Sequence, residues 1–596
     1  MEKFVYSIIS KRRNQWLVTL IVIFSMLGAI MMLPNKLVLA KMLPGKSANT
    51  FSIYIDTATN ASIIETQKVS TCVQKQMMKE KEVLNMSINL AQGAPLDYAG
   101  LVKGSAFKQM RNQAEIVINL TDKNERQEPS YMMVHRLRPK IQAECAKIVP
   151  HTSIRFIEMP SGPPTLATIV IELFGKDERL LRHTVERVAE VLAQTEGLVD
   201  INIMQDDIYV KYNLVPNKEK IIRAGLSVDQ VNQITYLAFK GTAVAVKNTR
   251  NQQDQIPIFL RLSDETRILE GDSMDALRNK LSSLRLLNRK GMMIPLSELV
   301  TVESIRSSPS IFRKNLKNYV SLTAECDMVS QVYPLLDARD KIMERLSDEF
   351  NITKVAGINT YMFDLKLLDK HTGQEMLLRW DGEMKVSLDT FRDLGGAFIA
   401  ALILMFLLIV VYYKSFALSA IVLIGSFLSI IGVIIGHWIT DKIQLVLLET
   451  NFFLTATSLI GFISLMGISA RSSLLLIDFT KSLIEEGMEK RRAIAVATAT
   501  RAKPIMLTAI AIILGSLLLA TDPIFGGLGV ALIFGSMAAT LVSLFFIPIL
   551  MNHTKAIMPK EHVELEDRRN GYLHKAKETW CVLTDNIKDY FKKHKA

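Results

Sequence analysis

The chain has 596 residues, 49% of them hydrophobic, with a positive mean hydropathy and a formal net charge of +12. That is too apolar for an ordinary soluble protein, and the cations stand beside apolar runs, which fits the inward bias of basic residues in membrane proteins and argues against nucleic-acid binding. Cys72, Cys145, Cys326 and Cys581 lie far apart with no CxxC pair or histidine-rich neighbour, so neither a disulfide framework nor a zinc site is signalled and free thiols are expected.

In chain order, Trp16–Leu33 is uncharged, long enough to cross a bilayer, and preceded by Lys11, Arg12 and Arg13. Residues 1–15 are therefore expected in the cytoplasm and 16–33 as a retained first transmembrane helix, since no small-residue cleavage site of AxA type follows closely. Period-two alternation then marks a strand at Phe51–Ile55, followed by a helix over 62–80 and a strand over 114–120. Ala167–Phe174, the amphipathic Glu178–Gln194, Val199–Ile203 and Ile208–Tyr212 read as β-α-β-β, half of a split βαβ unit. The elements at 51–120 suggest a second unit, and Tyr319–Ala324 with the helix after Pro334 a third. This soluble segment reads either as repeated modules lining a substrate route or as a binding ectodomain.

Five more apolar runs follow: Leu394–Tyr413, Phe416–Gly436, Phe452–Ile477, Pro504–Ala520 and Phe525–Met551. Alternation through six spans puts the loop 480–503 in the cytoplasm, in agreement with its Lys481, Lys490, Arg491, Arg492, Arg501 and Lys503. It puts His437–Asn451 and Thr521–Pro523 outside, where Asp441, Glu449 and Asp522 face only Lys442. The fold class expected is an α-helical membrane domain of six transmembrane helices (16–33 and 394–551) with a large α+β periplasmic insertion (34–393) between helices 1 and 2, and a cytoplasmic tail over 552–596. Within that tail, Asp567–Ala596 mixes aromatic residues with lysines and reads as a helix on the inner leaflet or as a solvated tail.

Several stretches in order resemble the resistance-nodulation-division (RND) transporters, in the second half of their duplicated chain. They are Arg379-Trp-Asp-Gly-Glu383 with Phe391-Arg-Asp-Leu-Gly395, Thr455-Ala-Thr-Ser-Leu-Ile-Gly-Phe-Ile463, and Gly467-Ile-Ser-Ala-Arg-Ser-Ser-Leu-Leu-Leu-Ile-Asp-Phe479. Arg501-Ala-Lys-Pro-Ile-Met-Leu-Thr508, Asp522-Pro-Ile-Phe525 and Phe534-Gly-Ser536 onward to Pro548 look like the family's closing helices, and Pro160-Ser-Gly-Pro-Pro164 like its porter domain. The resemblance implies export of drugs or other amphiphiles from the periplasm or inner membrane. Unless this chain is a fragment or pairs with itself, the resemblance also implies a complementary N-terminal-half-like subunit bearing paired aspartates, a trimer of half-pairs, a periplasmic adaptor and an outer-membrane channel docking near 226–290. No cofactor is implied beyond the proton-motive force, and the protein is expected not to be an enzyme. No Walker A, HExxH or GxSxG pattern stands where it would signify chemistry.

Arg471 lies in an otherwise uncharged membrane segment, where a charge costs about 2.5–3.5 kcal/mol and calls for a partner. Asp478 shares its helical face at i+7, but roughly 10 Å along the axis separates them, so direct pairing is not expected. The resembling family carries a lysine at the Arg471 position, facing the aspartate pair of the other half. An arginine anchors a carboxylate without itself carrying the proton, so the proton acceptor belongs elsewhere and self-pairing would set cation against cation. By the same resemblance Thr508 joins the relay and Arg501 guards the cytoplasmic entrance. The plainer alternatives are back-bonding for Thr508, a positive-inside charge for Arg501 and a snorkelling charge for Arg471. Gly432 with Gly436, Gly535 with Ala539, and Gly467 are candidate helix-packing positions. The 28 methionines, among them Met77-Met78, Met132-Met133 and Met292-Met293, leave a Cu(I) or heavy-metal exporter open, although adjacent side chains point apart. A non-transporting membrane sensor or regulatory subunit is the other alternative.

Overall fold

The computed structural model describes residues 1–45, 47–159, 162, 164–249, 255–263, 273–355 and 363–558. Most of the Pro160–Pro164 segment, parts of 226–290, Cys581 and the Asp567–Ala596 tail lie outside the described residues. The chain divides into two compact units, Gln205–Ile311 and the remainder.

Every strand among the described residues falls between the first and second long apolar helices. In the first subdomain β1 (Thr50–Asp56), β2 (Val83–Leu90), β3 (Gln113–Leu120) and β4 (Ser153–Ile157) form one antiparallel sheet of order β2-β3-β1-β4. The helix Ile63–Met77 connects β1 to β2 and Ser130–Cys145 connects β3 to β4, so two split βαβ units interlock. The inward residues Ile53, Ile116 and Phe156 close a core with Val69, Val73, Leu137 and Ile141 from the two helices. A capping box between Ser62 and Glu65 satisfies the start of the first helix.

Cys72 and Cys145 are joined by a disulfide, with Cα atoms 5.7 Å apart. The expectation of free thiols is corrected for this pair. The two helices lie side by side, which brings together residues separated by 73 positions that no local spacing rule connects. Cys326 is free.

The second subdomain begins as expected with β5 (Ile169–Gly175), the helix Glu178–Ala193 and β6 (Leu198–Met204). Its next strand does not return to the same sheet. β7 (Val210–Pro216) belongs to the Gln205–Ile311 unit and pairs there with β12 (Val300–Arg306). That unit holds its own core of Ile221, Val231, Leu281, Leu296 and Leu299, together with the hairpins β8 (Thr242–Lys247)–β9 (Ile256–Leu260) and β10 (Arg285–Leu287)–β11 (Met293–Pro295).

After this unit β13 (Arg313–Lys314) leads into β14 (Lys317–Cys326), which lies antiparallel between β5 and β6. Tyr319–Ala324 is therefore not the start of a third repeat but the third strand of the second one. The helix Val332–Arg345 follows, then β15 (Phe350–Lys354), β16 (Leu365–Asp369) and β17 (Glu375–Asp381), with β17 pairing β5. The order β6-β14-β5-β17 repeats that of the first subdomain, and β15 and β16 extend the sheet beyond it. Ile169, Leu173, Val185, Leu322, Leu335 and Trp380 lie in its core.

Among the described residues six helices are long and apolar enough to cross a membrane: Arg12–Met32, Glu383–Tyr413, Phe416–Leu448, Ala456–Glu485, Lys490–Ala520 and Gly526–His553. They outrun the apolar segments because backbone hydrogen bonding continues through polar residues where side chains do not oppose it. The second helix starts in the charged Glu383–Asp393 stretch. The supposed loop over 480–503 shrinks to 486–489, leaving most of its cations on the fifth helix, and His437–Leu448, expected as an outer stretch, continues the third. The third is broken once, at Ser429. The sixth widens into a π-turn at Val542–Phe546 just ahead of Pro548, whose ring nitrogen cannot donate to the preceding turn.

Candidate functional site in the apolar helices

Glycine lets the third, fourth and sixth helices approach closely. A Cβ on Gly432 would lie 2.2 Å from the Phe534 carbonyl oxygen, one on Gly436 2.4 Å from Phe534 Cβ, and one on Gly535 2.2 Å from Leu465 Cδ2. Ala539 is buried on the same helix as Gly535. Gly467 differs, having nothing within 4 Å of a built Cβ.

That difference maps the fourth helix. Leu465, Ser469, Ala470, Ser473, Leu476 and Ile477 are buried within the chain, whereas Ser464, Gly467, Arg471 and Leu475 form an exposed stripe at helical spacing. The Arg471 guanidinium stands on this stripe with no ion-pair or hydrogen-bond partner among the described residues.

Asp478 turns to another neighbour. Its Oδ1 accepts the Tyr413 hydroxyl at 2.7 Å, and Lys481 Nζ lies 4.7 Å from the centre of the Tyr413 ring. The fourth helix is thereby tied to the end of the second. Arg501 lays its guanidinium over Phe479, 4.8 Å from the ring centre, which ties the fifth helix to the fourth. Thr508 is exposed, and its Oγ1 donates to the Ile505 carbonyl at 2.8 Å.

A family model described as the AcrB/AcrD/AcrF family matches residues 2–356 and 365–554. The chain belongs to that family. It is thus a membrane protein of the RND permease type that its sequence resembles. Among its relatives are the swarming motility protein SwrC of Bacillus subtilis, 20% identical over 90% of this chain and 45% of that one. The cobalt-zinc-cadmium resistance protein CzcA of Cupriavidus metallidurans is 24% identical over 67% and 34%. The multidrug resistance protein MdtC of Yersinia pseudotuberculosis is 22% identical over 80% and 42%. A crystal structure of a heavy metal efflux pump shares the fold, with a TM-score of 0.66 at 15% identity over 92% of this chain and 51% of that one. The chain spans about half the length of the curated relatives it matches.

Two features of this permease chain escape a reading of its sequence. His437, fully buried, bonds through Nδ1 to the Val433 carbonyl at 2.8 Å and through Nε2 to Ser458 Oγ at 2.8 Å. The carbonyl only accepts, so Nδ1 carries a proton, and in the neutral ring Ser458 donates to Nε2. Ser458 also takes the Thr455 N–H, and Thr455 meets Thr457 at 2.8 Å, so the third helix is pinned to the capped start of the fourth. The second feature is a backbone strap: Lys41 N–H donates to Leu454 O at 3.0 Å and Leu454 N–H to Leu39 O at 2.8 Å. It fastens the chain leaving the first helix to the entrance of the fourth. A histidine in an apolar run and an N-cap threonine are visible in sequence, but the contact between them is not.

Proposed function

We propose that this chain is one half of a proton-driven efflux transporter, completed by a complementary subunit that sets carboxylates against Arg471. The observation that carries the reading is the exposed, unpartnered guanidinium on the fourth helix. A permanent charge facing hydrocarbon is costly, and a carboxylate on a covering surface relieves that cost while supplying the group that takes up and releases the proton. Gly467 and Ser464 on the same stripe allow another helix to come close. Thr508 and Arg501, on the neighbouring fifth helix, would adjust to the changing charge, with Asp478 holding the cytoplasmic end in place through Tyr413. No cofactor beyond the proton-motive force enters this scheme.

In this reading both termini, residues 1–15 and 552–596, are cytoplasmic, and the soluble segment inserted between membrane helices 1 and 2 lies in the periplasm. The Cys72–Cys145 disulfide supports that side, because such bonds persist in oxidising compartments. The assembly would be a trimer of half-pairs in the inner membrane, working with a periplasmic adaptor and an outer-membrane channel, and its substrates amphiphilic small molecules. Metal export is a second reading favoured by the relationship to CzcA. Against Cu(I) capture by paired methionines, Met77 is buried while Met78 is exposed.

The test is co-purification of the chain with whatever binds it, then transport in proteoliposomes under an imposed pH gradient, with dyes and divalent metals as separate substrates. Arg471→Ala is expected to abolish proton-coupled transport by the complex. Unchanged transport by that variant, or full proton-coupled transport by this chain alone, would overturn the proposal.

A further inference from the structure

A short amphipathic helix, Glu2–Ser10, precedes the first membrane helix and lies against the fifth and the end of the sixth. Its Val5, Ile8 and Ile9 are buried, and Phe4 meets Phe545 edge to face with ring centres 5.9 Å apart. The rest of its apolar surface is bare, with Phe4 58% and Tyr6 40% exposed. Aromatic residues left uncovered on a short helix at the end of a membrane bundle place it in the plane of the lipid headgroups.

At Lys11 the backbone leaves this helix in an extended conformation, and the first membrane helix starts at Arg12. The corner is built rather than loose. Asn14 Nδ2 donates back to the Ser7 carbonyl at 3.1 Å, and Gln15 Nε2 donates to the Ile9 carbonyl. Carbonyls at the end of the short helix are thus satisfied from the next one, which holds the two at a fixed angle. Lys11, Arg12 and Arg13 stand on this corner and Lys3 on the short helix, all exposed and without an ion pair among the described residues. The acid in this stretch is Glu2, at the far end of the short helix. Trp16 is 58% exposed, and the uncharged run begins with it. A tryptophan so placed marks the boundary between headgroups and hydrocarbon. At 1.5 Å of rise per residue, Arg13 stands about 4.5 Å before it, at the depth of the lipid phosphates.

Orienting a helix in the membrane requires positive charge on one side but no fixed array. Here like charges crowd a rigid corner where no acid of the chain pairs with them, so they repel one another until an anion arrives. Guanidinium groups match phosphate oxygens in a two-pronged fit. The bare Phe4, Tyr6 and Trp16, on both arms of the corner, offer apolar surface to the acyl chains that accompany such a phosphate, a feature that free phosphate would leave unused. We propose that this corner is a binding site for an anionic phospholipid, with the lipid phosphate held by Lys11, Arg12 and Arg13. Lipid bound there seats the short helix on the membrane surface and steadies the part of the fifth helix that it covers.

The test uses the full chain in lipid bilayers with Trp380→Phe, Trp438→Phe and Trp580→Phe, which leaves Trp16 as the sole tryptophan. Quenching of Trp16 by brominated phosphatidylglycerol is compared with quenching by brominated phosphatidylcholine at equal mole fraction. The anionic lipid is expected to associate at least about tenfold more tightly, since each cation near an anionic headgroup is worth about fivefold. Lys11→Gln combined with Arg12→Gln and Arg13→Gln should bring the two lipids within about twofold of each other. Arg12→Lys with Arg13→Lys should keep most of the preference. Lys68→Gln, Lys75→Gln and Lys123→Gln together, which remove the same charge from the soluble segment, should leave it unchanged. Equal quenching by the two lipids in the native corner, or a preference that survives in its glutamine variant, would overturn the site and leave Lys11–Arg13 as orienting charges. Displacement of the lipid by millimolar inorganic phosphate would also overturn it, in favour of a simple phosphate site. Should the triple glutamine variant fail to insert, Arg13→Gln alone decides, with a several-fold loss of preference expected and no loss refuting the site. No transport is measured, so the outcome is independent of the proposed efflux activity.

Discussion

Replacing Gly432 with alanine tests the packing of the apolar helices most directly. The added methyl would lie 2.2 Å from the Phe534 carbonyl oxygen and 2.5 Å from Ala538 Cβ. The first neighbour is backbone, so no side chain can swing aside, and relief requires the third and sixth helices to part by roughly 1 Å. Overpacking of this kind costs about 1–3 kcal/mol. Alanine in place of glycine inside a helix returns up to about 1 kcal/mol, so the raw change in stability understates the clash. Gly467→Ala supplies the correction, because its methyl meets nothing within 4 Å in this chain and should show only the propensity gain. The expected difference between the variants is therefore about 1–3 kcal/mol, or roughly 2–4 °C per kcal/mol for a cooperative unit of 150–250 residues. Thermal unfolding of each purified chain in detergent, followed by loss of the monodisperse species, measures it. Gly432→Ala melting level with or above Gly467→Ala would refute the close approach of these helices.

Cysteine labelling of the denatured, unreduced chain from intact cells should modify two fewer thiols than labelling after reduction, and equal labelling would remove the Cys72–Cys145 bond from the cellular protein. The double variant Cys72→Ser, Cys145→Ser should lose about 2–5 kcal/mol, read as faster hydrogen exchange in the Ile63–Met77 helix. At Asp56, burial would raise the carboxyl, but Arg155 and Lys108, the latter 3.2 Å away, outweigh it and hold it below its ordinary 3.8. A lowered folded value means the stabilisation is present above pH 3.8 and fades as pH falls through the folded value. Asp56→Asn should therefore cost about 3 kcal/mol near pH 7, where it leaves the buried Lys108 and the partly buried Arg155 short of a counter-charge, and progressively less in acid. An equal loss of thermal stability at pH 7 and pH 3 would contradict this assignment.

Much of the architecture is written locally. Uninterrupted apolar runs are long enough for a bilayer whatever surrounds them, so the six helices were legible, and only their ends moved, where polar residues such as Glu383–Asp393 continue the same hydrogen-bonded ladder. The β5–helix–β6 unit was legible because its apolar period changes from two to 3.6 and back. The proposal that Arg471 takes a partner likewise rests on residue type and on its place in an apolar run, both read from sequence. The partners of buried polar groups are not legible there, because they arrive from distant parts of the chain. Tertiary structure alone sends β7 out of its expected sheet, brings Cys72 to Cys145, gives Asp478 to Tyr413 and sets His437 on Ser458. Sequence determines which segments seek apolar surroundings, since that tendency belongs to each residue and adds along the chain. Which charge meets which depends on how whole elements cross, and that is settled only when the elements have packed.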